Sequence, residues 1–152
     1  MAPTDTDLAY IAGMLDGEGY IGINKKVMTS RKSPRYDTKV CITNTHKRAL
    51  DWIQSKLGAG VIYETKQKNN PLAKNRCFVW SCSNKEAIRV LKLLHPYLHI
   101  KKLKAETLIS FGEFAGRSAF YKPVPDEVNE KRESYYQQAL VDSLYERQPI
   151  TI

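Results

Sequence analysis

The chain has 152 residues, 42% of them hydrophobic, which suits one domain with a substantial core. Its three cysteines are an odd number without C-x-x-C spacing. That pattern argues against a disulfide framework and a structural zinc site, and it favours a reducing intracellular compartment such as a prokaryotic cytoplasm or an organelle. No apolar run approaches the roughly 20 residues of a membrane span, so we expect no membrane partner.

The formal net charge is +8, and a surface with such an excess attracts polyanions. The basic residues are unevenly distributed, because residues 24–48 hold eight Lys and Arg against the single acid Asp37. Solvated faces of a basic protein can produce the same pattern. Charge therefore suggests a polyanionic partner without establishing one.

Helical and strand periodicities alternate along the first two thirds of the chain. Apolar residues at helical spacing predict a first helix, capped by Thr4 or Asp5, that ends near residues 16–19. Alternation with a period of two then predicts strands, and the whole order repeats once. After this first helix, the predicted elements are strands 20–27 and 35–44, helix 45–57, strands 61–67 and 76–82, and a helix that Ser83 and Glu86 cap and Pro96 closes.

Two further helices are predicted within 97–116 and 125–148. We therefore predict an α+β fold in which an α-β-β-α-β-β-α core holds a four-stranded antiparallel sheet, followed by additional C-terminal helices. The whole chain, 1–152, is expected to be one domain with a core of about 5–116 and a helical extension of about 117–152.

A sheet covered by helices on one face leaves its other face open, and the basic strand residues fall on that open face. In the strand 35–44, Tyr36 and Val40 share the core face, while Arg35 and Lys39 share the other. A twisted antiparallel ribbon fits the major groove of DNA, where such side chains can read base edges.

The stretch "YIAGMLDGEG", Tyr10 to Gly19, resembles the LAGLIDADG motif of homing endonucleases, with Glu18 where the second aspartate usually stands. The element order, "TNTHKR" before the second helix and "HPYLHIKKLKA" extend the resemblance over about residues 8–115. They look like the branch of the family that has one motif per chain and forms homodimers.

The resemblance implies a sequence-specific endonuclease that hydrolyses both strands of a long pseudo-palindromic double-stranded DNA site and leaves 3′ overhangs. It implies a mobile, intron-encoded element and no small-molecule substrate. It also implies magnesium, or manganese, as the cofactor, whereas calcium is expected to bind without supporting cleavage. An RNA maturase and a non-cleaving DNA-binding protein on the same scaffold are the alternatives.

Small residues at Ala9, Gly13 and Gly17 form a stripe along the first helix, which would let two helices pack closely across a twofold axis. The alternative is an ordinary buried helix with small residues. Pairing would bring together two Glu18 carboxylates and two negative helix ends, which is unfavourable unless divalent cations lie between them. Glu18 and the Gly17 carbonyl are thus predicted metal ligands. The predicted dimer interface comprises Ala9, Ala12, Gly13, Asp16 and Gly17.

By position, Asn44 and Arg48 match family residues at the border of the active site, and Lys101 matches a lysine of the family's active-site pocket; with Glu18 they form the predicted catalytic set. Asn44, where the family often has glutamine, could instead be only the cap of the second helix. Arg48 and Lys101 could instead position phosphates without a catalytic role. Asp16 is expected to be chiefly structural.

The predicted base-reading residues alternate along the four strands. They are Asn24, Lys26, Met28, Arg31, Arg35, Asp37, Lys39, Cys41, Tyr63, Thr65, Gln67, Arg76, Phe78 and Trp80. A core role is the alternative for Phe78 and Trp80, since a register error of one residue exchanges the two faces. Lys66, Lys68 and Lys74 in the hairpin loop are expected to contact phosphates.

Overall fold

A computed structural model describes residues 2–65, 76–118 and 123–147, and it confirms the predicted order of elements. Two helices follow the core after a 3-10 turn at His95–Tyr97. The elements are α1 (Asp5–Glu18), β1 (Gly19–Lys26), β2 (Arg35–Asn44), α2 (Lys47–Leu57), β3 (Val61–Thr65), β4 (Cys77–Ser83), α3 (Asn84–Leu94), α4 (Lys102–Ser118) and α5 (Asp126–Glu146).

The four strands form one antiparallel sheet in the order β1-β2-β4-β3. The α+β fold is therefore as predicted. Helices pack on one face, and the core lies between them and the sheet, where Ile11, Leu15, Val40, Ile42 and Leu91 are completely buried. None of the described helices is long and apolar enough to cross a bilayer.

The predicted faces of β2 are confirmed, because Thr38, Val40 and Ile42 are buried on the helix side. In β4 the prediction is wrong by one residue. Trp80 pairs with Ile42 and is completely buried, and its Nε1 donates to the Ala59 carbonyl at 2.9 Å. An aromatic strand residue whose polar atom meets a backbone acceptor is a core residue, and short apolar strands do not reveal their register from sequence.

The N-terminal caps follow the predictions only in part. Thr4, one of the two caps that the sequence suggested, caps α1 and forms a capping box with Asp7. Ser83 precedes α3 without a side-chain capping bond, and Glu86 instead accepts a hydrogen bond from the Gly60 amide at 2.8 Å. The predicted capping box of α3 is therefore wrong, because Glu86 fastens the loop before β3.

The last two helices pack against each other and against the β1 edge of the sheet. Glu133 of α5 forms an ion pair with Lys25 at 2.8 Å and accepts a hydrogen bond from the Tyr36 hydroxyl. These contacts lower the pKa of Glu133 to about 2, chiefly through the hydrogen bond from Lys25. The carboxylate thus fastens α5 to both β1 and β2.

Replacing Glu133 with Gln should lower the free energy of unfolding near neutral pH by about 1 kcal/mol, because an ionic contact is lost. The folded-state pKa lies below the ordinary 4.5, so this stabilisation is complete above that pH and disappears as the pH falls towards 2. Urea unfolding across this range measures it. Glu113→Gln is the matched control, since its pair with Lys92 is more than half exposed and should change little. An equal effect of both variants would contradict the prediction.

Candidate active site and nucleic-acid interface

The exposed Glu18 ends α1, next to the end of β2. Its Oε2 accepts a hydrogen bond from the Asn44 amide at 2.7 Å, and Asn44 Oδ1 accepts one from the His46 amide at 2.8 Å. The residue that caps α2 is His46, without a side-chain bond. Asn44 is therefore more than a helix cap, because it orients the Glu18 carboxylate and leaves one carboxylate oxygen for other contacts.

Asp16 and Lys101 join the end of α1 to the start of α4. The Asp16 carboxylate accepts hydrogen bonds from the amides of His99, Ile100 and Lys101 at 2.8, 3.2 and 3.0 Å. In return, Lys101 Nζ donates to the Asp16 backbone carbonyl at 2.7 Å. An anion thus lies at the beginning of one helix and a cation at the end of the other, as both helix dipoles favour.

These contacts account for Asp16 and locate Lys101. The carboxylate of Asp16 is used within its own chain, so Asp16 is structural as expected, but its prediction as a dimer contact is not supported by its side chain. The ammonium of Lys101 lies at the C-terminal end of α1, because it contacts the backbone carbonyl of Asp16, two residues before Glu18 in the chain. Arg48 is exposed in the first turn of α2, which begins three residues after Asn44.

Lys104 and Glu146 are two charged residues near this end of α1 that sequence reasoning missed. Lys104 is only 8% exposed, and its Nζ donates to Ser143 of α5 and lies 5.3 Å from the centre of the Tyr20 ring. Burial lowers the pKa of Lys104 and raises that of Glu146, and the attraction between the two partly offsets both shifts. No local motif reveals them, because packing of α4 against α5 brings them there.

The small-residue stripe of α1 lies on its exposed side. Ala9, Gly13 and Gly17 are exposed, and a Cβ atom added to Gly13 or Gly17 would meet nothing within 4 Å. The alternative of a buried small-residue helix does not apply to this face. The prediction of Ala12 as an interface contact is wrong, because Ala12 is completely buried among core residues.

The donors at the end of α1 suit a hard divalent cation. Glu18 offers a carboxylate oxygen, and the last turn of α1, where Gly17 lies, carries backbone carbonyls that point along the helix axis. Within the described ranges no three His, Cys, Asp or Glu side chains cluster as a complete metal site. A set of so few oxygen donors fits a hard divalent cation such as magnesium, which keeps several waters when it binds.

The open face of the sheet carries most of the predicted base-reading residues. Strand register places Asn24 and Lys26 of β1 directly opposite Asp37 and Arg35 of β2. Lys39 and Cys41 follow on the same face of β2, and Tyr63 and Thr65 lie on that face of β3. Met28 and Arg31 are exposed in the turn between β1 and β2.

Three residues predicted for this face lie elsewhere. Phe78 and Trp80 face the helices and pack with the core, and Arg76, just before β4, forms an ion pair with Glu64 at 3.5 Å. The open face of β4 instead presents Cys77, Val79 and Ser81. The predicted contacts Lys66, Gln67, Lys68 and Lys74 lie outside the described residues.

No protein-family model matches the sequence, and no curated protein matches it significantly. Solved structures do match. The homing endonuclease I-CvuI, in complex with the I-CreI target in the presence of magnesium and with the DNA not cleaved, is 14% identical, with a TM-score of 0.75 over 97% of this chain and 86% of that one. The archaeal intron-encoded homing endonuclease I-Vdi141I, complexed with DNA, is 16% identical, with a TM-score of 0.75 over 97% and 87%.

The meganuclease I-SmaMI, bound to uncleavable DNA, is 17% identical with a TM-score of 0.68. The match covers 86% of this chain but only 44% of I-SmaMI. At these identities the matches establish the fold, which is that of the homing endonucleases. The fold implied by the LAGLIDADG resemblance is thereby confirmed.

Replacing Asp16 with Ala should lower the free energy of unfolding by roughly 2 kcal/mol or more, because three amides lose a charged acceptor. Asp16→Asn keeps one acceptor oxygen and should have a smaller effect. Chemical denaturation measures both. Asp51→Ala, which breaks an exposed pair with Lys47, should change stability by less than about 0.5 kcal/mol. A loss no larger for Asp16→Ala would show that the junction does not depend on this carboxylate.

Proposed function

We propose that the protein is a homodimeric, sequence-specific homing endonuclease that hydrolyses both strands of a long pseudo-palindromic DNA site with magnesium. One observation carries the proposal: the exposed Glu18 carboxylate, oriented by Asn44, ends a helix with an exposed glycine stripe beside an open basic sheet. The fold shared with DNA-bound homing endonucleases supports it.

The exposed stripe supports dimerisation through α1. Ala9, Gly13 and Gly17 let a second helix approach closely without steric conflict. The partial match to I-SmaMI is consistent with this, because this chain corresponds to slightly less than half of that protein. A twofold axis along the stripe would join the two sheets into one long DNA-binding surface with two Glu18 side chains at its centre.

Glu18 and the Gly17 carbonyl of each protomer would hold the divalent ions. Bound there, magnesium supplies Lewis acidity and a water of lowered pKa. The work of the chain is to place groups around the scissile phosphate. Asn44 holds the Glu18 carboxylate in position, while Lys101 and Arg48 offset negative charge on the phosphate and leaving oxygen.

The open face of β1, β2 and β3 would lie in the major groove, where Asn24, Lys26 and Lys39 contact base edges or phosphates.

We also propose that residues 1–152 act as one domain in a reducing compartment. Cleavage leaving 3′ overhangs and an origin in a mobile intron complete the proposal. The three free cysteines accord with a reducing compartment.

Glu18→Gln should reduce DNA cleavage by several orders of magnitude and leave site-specific binding within a few fold, because the neutral amide keeps the shape but not the charge. Selection of cleaved sites from a randomised duplex library with magnesium, followed by gel-shift binding, separates the two effects. Glu127→Gln, an exposed position on α5, should cleave normally. Equal cleavage by the Glu18 variant, or no cleavage of any bound site by the unmodified protein, would exclude the nuclease.

Gly13→Arg should convert the dimer into a folded monomer without cleavage activity. The position has open space in one protomer, so the side chain should not disturb the fold but should block a second helix. Light scattering, circular dichroism and cleavage assays test this. Gly116→Arg, at a helical glycine of α4 with equally open space, should remain dimeric. A Gly13 variant that stays dimeric would place the interface elsewhere.

A further inference from the structure

Asp37 is an isolated carboxylate on a basic surface. Among the described residues on the open faces of the four strands it is the only acid, and its neighbours on that face include Lys26, Arg35 and Lys39. A negative charge there repels DNA phosphates and weakens general affinity for the backbone. General attraction to DNA therefore does not explain why Asp37 is present on this face, since removing its charge would strengthen non-specific binding.

The carboxylate of Asp37 is fixed from two sides. Arg35 Nε and Asn84 Nδ2 both donate to its Oδ1, at 3.0 and 3.1 Å. Asn84, with a left-handed φ of 52°, is itself held because its Oδ1 accepts from the Thr38 amide at 3.1 Å. The Asp37 side chain is 16% exposed, so it is anchored to the sheet rather than free in solvent.

Asp37 in turn orients Arg35. The pair uses only the Nε–H of the guanidinium, and the Arg35 side chain stays 53% exposed. The two terminal amino groups of Arg35 therefore point away as a fork of fixed direction. Such a fork matches the O6 and N7 acceptors of guanine in the major groove. A lysine has neither this planar geometry nor an Nε–H by which Asp37 could fix its direction.

The second oxygen of Asp37 has acceptor capacity left, because a carboxylate can accept about four hydrogen bonds. Beside a guanine, the partner base presents the N4 amino group of cytosine, which is a donor that a carboxylate accepts. Thymine presents an acceptor at that place and would be repelled. Both side chains therefore favour the same base pair.

We infer that Arg35 and Asp37 together read one G·C base pair in each half of the DNA target. Arg35 contacts the guanine, and Asp37 both positions Arg35 and accepts from the cytosine. This inference rests on the proposed function, and it adds a sequence determinant to it. In a homodimer the same base pair recurs, inverted, at equal distances from the centre of the site.

Selection of bound sites from a randomised duplex library, with calcium in place of magnesium, tests the inference with the full chain. The unmodified protein should show one symmetric pair of G·C positions that depends on Arg35. Arg35→Lys and Arg35→Ala should each reduce discrimination at those positions roughly tenfold or more. Preferences at other positions should persist.

Asp37→Ala gives the sharper result. It should reduce discrimination at the same positions while affinity for unrelated DNA stays equal or rises, since a negative charge is removed. Asp37→Asn keeps an acceptor for Asn84 and should behave similarly while guarding against a loss of folding. Arg76→Ala, which breaks a comparable pair with Glu64 away from the open face, is the matched control and should leave those positions unchanged.

Site-selective binding with the same profile in the Arg35 and Asp37 variants would overturn this inference and leave the proposed function intact. A uniform loss of affinity in Asp37→Ala would also overturn it, because that result indicates a structural role only. No sequence-selective binding by the unmodified protein would instead overturn the proposed function.

Discussion

The reciprocal contact between Asp16 and Lys101 is the constraint on which the candidate site depends. Through it, the end of α1 and the start of α4 neutralise each other's unpaired backbone groups. An anion in the last turn of a helix is normally unfavourable, but here the Asp16 carboxylate accepts hydrogen bonds from amides at the beginning of α4. Glu18, two residues later, is thereby held at a fixed place at the end of β2.

Charged residues of α5 also stabilise the region around the end of α1. α5 is fastened to the sheet by Glu133 and to α4 by the contacts of Lys104 and Asp142. Its last turn brings Glu146 near Lys101 and Lys104, so the lysines at the end of α1 are partly balanced by acids of the C-terminal helix. The C-terminal helices thus act on the site through the start of α4.

The sheet divides its charges by face. On the helix side, Lys25 is neutralised by Glu133, whereas on the open side Lys26 and Lys39 face solvent with Asp37 as their single described acid. This separation follows from the two-residue period of a strand, which sends neighbouring lysines to opposite faces. A diffuse positive charge in the sequence becomes a directed surface in the fold.

Much of this could be predicted from sequence. The order of elements, the face assignment of β2 and the resemblance of residues 10–19 follow from local periodicity and a short motif, and these depend on neighbours in the chain. The register of β4 could not be predicted, because Phe78 and Trp80 fit either face until β4 pairs with β2. The burial of Ala12 could not be predicted from sequence either, because it depends on how α1 is rotated against the core.

Sequence by itself determined the elements, the excess of positive charge and the glycine-bearing helix that ends in a carboxylate. Only the tertiary structure decided that Asn44 orients Glu18, that Lys101 caps α1, and that Asn84 holds Asp37. The physical reason is distance along the chain: these contacts join residues up to 85 positions apart, and no local pattern encodes a pairing that packing alone creates.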